Sequence, residues 1–314
     1  MLENTEKMRD SSSMLNDPLS DVLKLANAQS VLVGGFTAGG SWALRFPPPD
    51  KLKFFALLKG QCWLSIHGEP PVQVKTGDVL LLSTTESYVL AGDLNAAPVD
   101  ALEVFNEEVK TAAIGNGEDC IQVGGHVLLD PSSDRILADV LPPLIHVSSA
   151  SPGATVLQWL LSQLLREQGG ELPGSGLATT QLAQLMFLHV LRVHLAETGP
   201  LVAGWLRVVA DRRLAPAVRL MHAQPGRAWE LSSLAKASGM SRTTFAVKFK
   251  EAAGVAPLTY LTQWRMRLAE RSLRQGGTSL ATLAGDLGYS SESAFSNAFK
   301  RVTGIAPQHY RSRK

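Results

Sequence analysis

Arg242, Thr243, Ala246 and Val247 fall on one side of a helix-like stretch, with Phe245 and Phe249 on the other. Fifty residues later, Glu292, Ser293, Ser296 and Asn297 stand in the same relation to Phe295 and Phe299. The chemistry open to these groups is recognition of base edges. Arginine pairs with guanine through two hydrogen bonds, asparagine pairs likewise with adenine, glutamate accepts from the cytosine amine, and threonine or valine packs on a thymine methyl. Ser241, Lys248, Lys250, Ser290, Lys300 and Arg301 lie close by and are types suited to phosphate oxygens. Such groups work only if helices hold them against a groove.

The elements that would do so occur twice. At a shift of 50, the run Phe245 to Tyr260 matches Phe295 to Tyr310 at seven of sixteen positions. Upstream, at a shift of 49, Leu234-Ala235 and Gly239-x-Ser241 match Leu283-Ala284 and Gly288-x-Ser290. Each copy reads as a helix-turn-helix. In the first (about 229–253), a short helix turns Leu231, Leu234 and Ala235 inward, and Gly239 stops it. Ser241 caps a second helix, pinned by Phe245 and Phe249 at i, i+4 and ended by Gly254 and Pro257. The second copy (about 279–303) uses Leu280, Leu283, Ala284, Gly288, a Ser290 or Ser291 cap, Phe295, Phe299, Gly304 and Pro307. Between them, residues 258–273 read as one helix with Leu261, Trp264, Leu268 and Leu273 inward and Arg265, Arg267, Arg271 and Arg274 mostly outward. At roughly 24 Å it can hold two recognition helices near the ~34 Å spacing of successive major grooves.

Charge points the same way. Residues 211–314 hold 17 Lys+Arg against 6 Asp+Glu, a net of +11, while the remainder holds 13 against 22, a net of −9. A basic module fused to an acidic one suits a polyanionic partner. The 314 residues allow two domains of ordinary size, and 45% apolar with 18% charged residues excludes a disordered chain. Cys62 and Cys120, the two cysteines, read as small buried hydrophobes rather than as a disulfide or zinc framework. No signal-peptide-length or membrane-length apolar run occurs, so the expected location is the cytoplasm, with no membrane partner.

The expected fold is α+β and multidomain. A disordered leader (1–17) precedes a domain over 18–150, opening with a short helix, Leu19 to Ala26. Short strands then follow at Val31–Phe36, Trp42–Phe46, Phe54–Leu58, Cys62–Ile66, Val72–Val74, Val79–Leu82, Tyr88–Leu90 and Val99–Phe105, with more around Gly115 to Leu129. Gly/Pro turns at this spacing indicate a small antiparallel barrel or jelly roll. Residues 151–200 become helical, with apolar stripes Val156 to Leu165 and Leu182 to Leu195. The second stripe covers more than one face, which makes this connector a candidate dimerisation element. The all-α module with both helix-turn-helix units fills 201–314.

Residues 212–312 resemble the DNA-binding domain of the AraC family of bacterial regulators. The resemblance covers both units, the linker segment Tyr260 to Ala269 and the signature-like stretch Ala281 to Pro307, including Gly288-Tyr289-Ser290 and Phe295-Ser-Asn-Ala-Phe299-Lys300-Arg301. The first half resembles the cupin-type sensor domain of one branch of that family, through Asp17-Pro18-Leu19-Ser20-Asp21, Trp42-x-Leu44-Arg45-Phe46, Gly60-x-Cys62-Trp63 and Gly77-Asp78. The resemblance implies a promoter-binding transcription regulator, with a homodimer, a small-molecule effector and RNA polymerase as further partners. Candidate effector-lining groups are Trp42, Arg45, Phe54, Trp63 and Tyr88, with Arg45 foremost because a charge inside a barrel needs an anionic partner. No metal or other cofactor is expected: His67 lies in a turn, His126 and His146 stand alone, and aromatic residues occupy Phe55 and Tyr88, where relatives place histidines. A cupin-barrel enzyme with accessory helices is the alternative, but no metal cluster, acid/base pair, phosphate loop or Gly-x-Ser-x-Gly is present to support it. A regulator with a purely structural barrel is the other.

Overall fold

Strand alternation in the first half of the chain and helical periodicity in the second resolve into two units in the computed structural model, Ala28–Pro200 and Leu201–Lys314, the latter joined by Met1–Asn27. The structure describes residues 17–106, 109, 111–130, 137, 139–169, 172–197 and 203–312. The leader expected over 1–17 lies, Asp17 apart, outside them.

In the first unit, β1 (Gln29–Gly39), β3 (Leu52–Lys59), β6 (Val79–Leu82), β9 (Thr111–Gly115), β10 (Cys120–Leu128) and β11 (Leu144–Val147) form a six-stranded sheet ordered β11-β6-β3-β10-β1-β9. A second sheet, ordered β5-β4-β7-β2-β8, holds β2 (Ala43–Phe46), β4 (Gln61–Ile66), β5 (Val72–Lys75), β7 (Tyr88–Ala91) and β8 (Val99–Asp100). Alternate side chains of both sheets meet in one core that includes Phe36, Leu44, Phe55, Leu57, Leu64, Leu80 and Leu90. Two facing sheets, rather than a closed barrel, thus enclose this core. Pairing is antiparallel except at two edges, where β9 runs parallel to β1 and β8 parallel to β2.

The strand expected over Val99–Phe105 is only two residues long. Asp100 caps a short helix, α2 (Ala101–Val104), by accepting from the Leu102 amide at 2.9 Å, and this local bond ends the extended run. Cys62 and Cys120 are both free and buried. His146 is not alone: its Nε2 lies 2.8 Å from Asp78 Oδ2, while Asp78 also accepts from the amides of Lys75 and Ser149. These bonds hold the Asp78 carboxyl below its ordinary range against the opposing effect of burial. Helices α3 (Ala154–Gly169) and α4 (Ser175–Glu197) pack as a pair. Gln184 of α4 accepts from the Ser30 amide and donates to the Ala28 carbonyl, fixing α4 to β1. Leu157, Leu160, Leu161 and Leu164 are buried, but Val156 and Leu165 from the same expected stripe are exposed.

The helical unit contains α1 (Pro18–Leu25), which the sequence placed at the head of the β domain. Asp17 caps it by accepting from the Ser20 amide at 3.0 Å. The remaining helices are α5 (Trp205–Ala210), α6 (Ala215–Ala223), α7 (Leu231–Ala237), α8 (Arg242–Ala253), α9 (Pro257–Gln275), α10 (Leu280–Asp286), α11 (Glu292–Thr303) and α12 (Pro307–Arg311). His222 of α6 anchors α1. Its buried ring stacks on Trp264 at 3.7 Å, its Nδ1 lies 3.3 Å from Asp21 Oδ2 and its Nε2 lies 2.9 Å from Tyr260 Oη. A neutral ring that donates from Nδ1 to the carboxylate and accepts the tyrosine proton at Nε2 satisfies all three groups.

Candidate nucleic-acid interface and candidate effector cavity

The two helix-turn-helix units are alike in detail because the same residues make the same bonds. In the first, Gly239 adopts φ +60° between α7 and α8, and the Met240 amide donates back to Ala235. In the second, Gly288 adopts φ +77° between α10 and α11, and the Tyr289 amide donates to Ala284. These left-handed turns suit glycine and set the angle between the helices. Ser241 caps α8 by accepting from the Thr244 amide at 3.2 Å. Ser291 caps α11 by accepting from Ala294 at 3.1 Å, so Ser291 takes the capping place and Ser290 is left exposed. Phe245, Phe249, Phe295 and Phe299 are completely buried, which fixes the rotation of each helix about its axis.

That rotation turns the predicted reading side chains outward. Arg242, Thr243, Val247, Lys248 and Lys250 are exposed on α8, as are Glu292, Ser293, Asn297, Lys300 and Arg301 on α11. Ala246 and Ser296 are half-buried, nearer the base of each helix. Both helices therefore present a tip and one flank to solvent, with Val247 an apolar group at 51% exposure among polar neighbours.

The arginines of the linker depart from expectation. Arg265, Arg267, Arg271 and Arg274 are half-buried along α9. Arg265 donates from Nε to the Pro225 carbonyl at 2.6 Å and from a terminal nitrogen to the Arg227 carbonyl at 2.9 Å. Its guanidinium also lies 5.7 Å from the centre of the Tyr289 ring. The loop before the first unit is thus tied to the turn of the second. Backbone contact strengthens this tie, because a β-carbon on Gly288 would stand 2.1 Å from the Gly226 carbonyl oxygen, and one on Gly226 would stand 2.3 Å from that of Asp286. The sequence offered no sign of this joint: an arginine on a helix looks solvated until the tertiary fold brings carbonyls to it. At 19 residues, α9 is roughly 28 Å long, somewhat more than expected.

In the two-sheet unit a cavity of about 280 Å³ opens between the sheets. Of the residues expected to line it, Phe54 and Tyr88 do so. Trp42 lies in the core instead, edge-on to Phe36 at 5.3 Å. Arg45 is exposed and Trp63 is half-buried, and neither reaches the cavity. The strand period explains both corrections. Trp42, Leu44 and Phe46 point to the core, as do Cys62, Leu64 and Ile66, so the residues between them face away. The expected buried Arg45 charge does not exist. Sequence reasoning missed Lys53, Gln122 and His126, which do line the cavity. His126 and Lys53 face each other across β10 and β3. Burial lowers the Lys53 ammonium below its ordinary range, and burial followed by the nearby Lys51 charge lowers His126. Burial likewise pushes the Tyr88 hydroxyl up. Among the described residues, no group of three or more His, Cys, Asp or Glu is placed to hold a metal ion.

Two capped reading helices, joined by one linker in a module of net +11 and carried on a chain with a separate two-sheet domain, define a DNA-binding transcription regulator. Residues 17–196 match the cupin family and residues 234–313 match a helix-turn-helix domain family. An AraC-like transcription regulator of Streptomyces antibioticus is 41% identical over 297 residues, covering 94% of this chain and 98% of that one. The HTH-type transcriptional regulator AlkR of Acinetobacter baylyi is 29% identical over 286 residues, covering 87% and 91%. Among solved structures, the DNA-binding domain of AdpA in complex with a target DNA is 31% identical, with a TM-score of 0.31, and covers 32% of this chain and 92% of that one. The chain belongs to the AraC family of transcription regulators, with a cupin N-terminal domain. Its relatives carry the names of regulators, and no helix among the described residues is long and apolar enough to cross a membrane.

Proposed function

We propose that this regulator reads promoter DNA through α8 and α11 in successive major grooves, under the control of a small organic molecule held between its two sheets. The exposed tips of both capped helices in a +11 module carry the first part of that reading. Arg242, Thr243, Ala246 and Val247 meet bases in one groove, and Glu292, Ser293, Ser296 and Asn297 meet bases in the next. Ser241, Lys248, Lys250, Ser290, Lys300 and Arg301 hold the backbone. The cavity supports the second part, since it has the size and apolar lining of a ligand site. The two-sheet domain then acts as a sensor rather than as an enzyme, in the cytoplasm where the promoter lies.

The chain works as a homodimer through α3 and α4. Trp159 and Val156 on α3, with Leu177 and Leu185 on α4, are exposed apolar side chains that a second copy would cover. RNA polymerase is the partner through which bound protein changes transcription.

The deciding experiment is fluorescence anisotropy of the full-length protein on its own upstream DNA across salt concentrations. Preference over random DNA, with log K falling steeply against log salt, is the expected result. A folded protein that prefers neither its own upstream DNA nor any sequence recovered by wider selection would end the DNA-reading proposal for these helices.

A further inference from the structure

We propose that Cys62 and Cys120 are an oxidant-responsive pair, which a peroxide joins into a reversible disulfide between the two sheets. The inference is independent of the cavity and of any molecule held there. Strand period turns both thiols inward. On β4, Cys62 alternates with Leu64 and Ile66 in the core, while Gln61, Trp63 and Ser65 are more exposed. On β10, Cys120 lies in the same core and shares the face of Gln122, which opens between the sheets. Register then brings them together. Lys59 pairs with Ile121 at the end of β3, and at Gly60 (φ +83°) the chain crosses from the first sheet into β4 of the second. A β-carbon on Gly60 would stand 1.9 Å from the Asp119 carbonyl oxygen and 3.2 Å from Cys120 Cα, so the crossing is pressed against the start of β10. Two residues on, Cys62 meets Cys120, and the two thiols are hydrogen-bonded to each other. The chain has two cysteines, so any disulfide within it joins this pair.

The surroundings divide the roles. Cys62 donates to Cys120, and that bond, burial and the nearby Asp78 carboxylate hold the Cys62 thiol above its ordinary range. The same hydrogen bond holds Cys120 below its ordinary range against the effect of burial. Cys120 is therefore the attacking thiolate and Cys62 the resolving thiol. Both residues are buried, at 2% exposure each, but shallowly: their chain neighbours Gln61 and Asp119 are exposed, and hydrogen peroxide is little larger than water. The Cys120 sulfur attacks one peroxide oxygen, the O–O bond breaks, and the departing hydroxide takes up the thiol proton as water. The Cys62 sulfur then attacks the sulfenic sulfur, the S–O bond breaks, and the hydroxyl leaves with the Cys62 proton as a second water. Two electrons pass from the pair to the peroxide, and a dithiol returns them by exchange. A lone buried thiol would stay an inert hydrophobe. Contact with a partner is what stops the oxidation at a disulfide.

The test treats the full-length protein in native buffer with a few equivalents of hydrogen peroxide. Remaining thiols are then alkylated in denaturant, and the intact chain and its proteolytic peptides are weighed. The expected product is a single chain lighter by two hydrogens, with the peptides of Cys62 and Cys120 cross-linked and both thiols recovered by dithiothreitol. Cys62→Ser should instead leave Cys120 as a sulfenic acid, one oxygen heavier and trapped by dimedone. Cys120→Ser should leave Cys62 a free thiol. Two thiols that survive peroxide in the wild-type protein, or a bond formed only between separate chains, would overturn the proposal. Dimedone on Cys62 in the Cys120→Ser variant would overturn the assignment of roles.

Discussion

Arg242 and Lys248 are both exposed cations on α8, yet their loss should read differently. Arg242→Ala should weaken binding to the cognate site by about 1–3 kcal/mol and relax preference at one base pair, because a bidentate base contact carries sequence information. Lys248→Ala should weaken binding about equally on all sequences and lower the salt slope by about 1, as loss of one phosphate contact demands. Competition binding on single-base variants of the site separates the two, and a uniform loss for Arg242→Ala would move that side chain to the backbone. At His222, burial outweighs the opposing Asp21 carboxylate and lowers the imidazole below its ordinary 6.5. The folded protein therefore prefers the neutral ring. The stability this contributes is present above pH 6.5 and is lost as pH falls below it through the lowered folded value. Thermal melts between pH 8 and pH 5 should show Tm falling in that window, and His222→Gln should flatten the fall. Individual residues were legible where a repeat exposed them and illegible where a charge alone was read. Arg45 looked like a buried anchor, but the alternation of Trp42, Leu44 and Phe46 already turned it to solvent. Lys53 and Gln122 gave no signal, because which polar side chains open on a cavity is a fact of tertiary packing.

Each helix-turn-helix depends on a cap and a pair of phenylalanines. Ser291→Ala should cost about 0.5–2 kcal/mol through the lost bond to the Ala294 amide, the usual range for a helix N-cap. Phe295→Ala should cost about 3–5 kcal/mol, since the ring is fully buried and its removal leaves a cavity. Chemical denaturation measures both, and a cost for Ser291→Ala near zero would return the capping role to Ser290. These elements could be read in the sequence because local rules set them: glycine at the turn, serine at the cap, phenylalanine every fourth residue. Most β strands were also legible, but those at Thr111–Gly115 and Leu144–Val147 were not foreseen, and one was expected to run too far, at Val99–Phe105. There the side-chain bond of Asp100 to the backbone competed successfully with strand pairing. The membership of α1 was not legible. Its apolar face fits either unit on composition, and tertiary contacts, among them Asp21 with His222 and Arg271 with the Lys24 carbonyl, assign it to the helical one.

At the scale of the molecule, the joint around Arg265 ties the loop before the first proposed reader to the turn of the second. Arg265→Ala removes two charge-assisted bonds to the loop at residues 225–227. The variant should still bind either half-site nearly as before but lose about tenfold on the full site, a loss of about 1.4 kcal/mol within the range for bonds to charged groups. Measuring affinity on half-sites and full sites together checks this, and equal losses on both would show that Arg265 serves only stability.

The tie made at that joint has a consequence beyond affinity. The two readers it fixes are not copies in their chemistry: Arg242 answers to Glu292, Thr243 to Ser293 and Val247 to Asn297. A sequence that satisfies two unlike readers is not required to be its own reverse complement. On the proposed reading one protomer would lie along DNA with a heading, as an arrow does, whereas a symmetric dimer of single readers would lie the same way round in either orientation. Inverting the operator would then leave the affinity of such a protomer untouched and reverse its heading relative to the promoter.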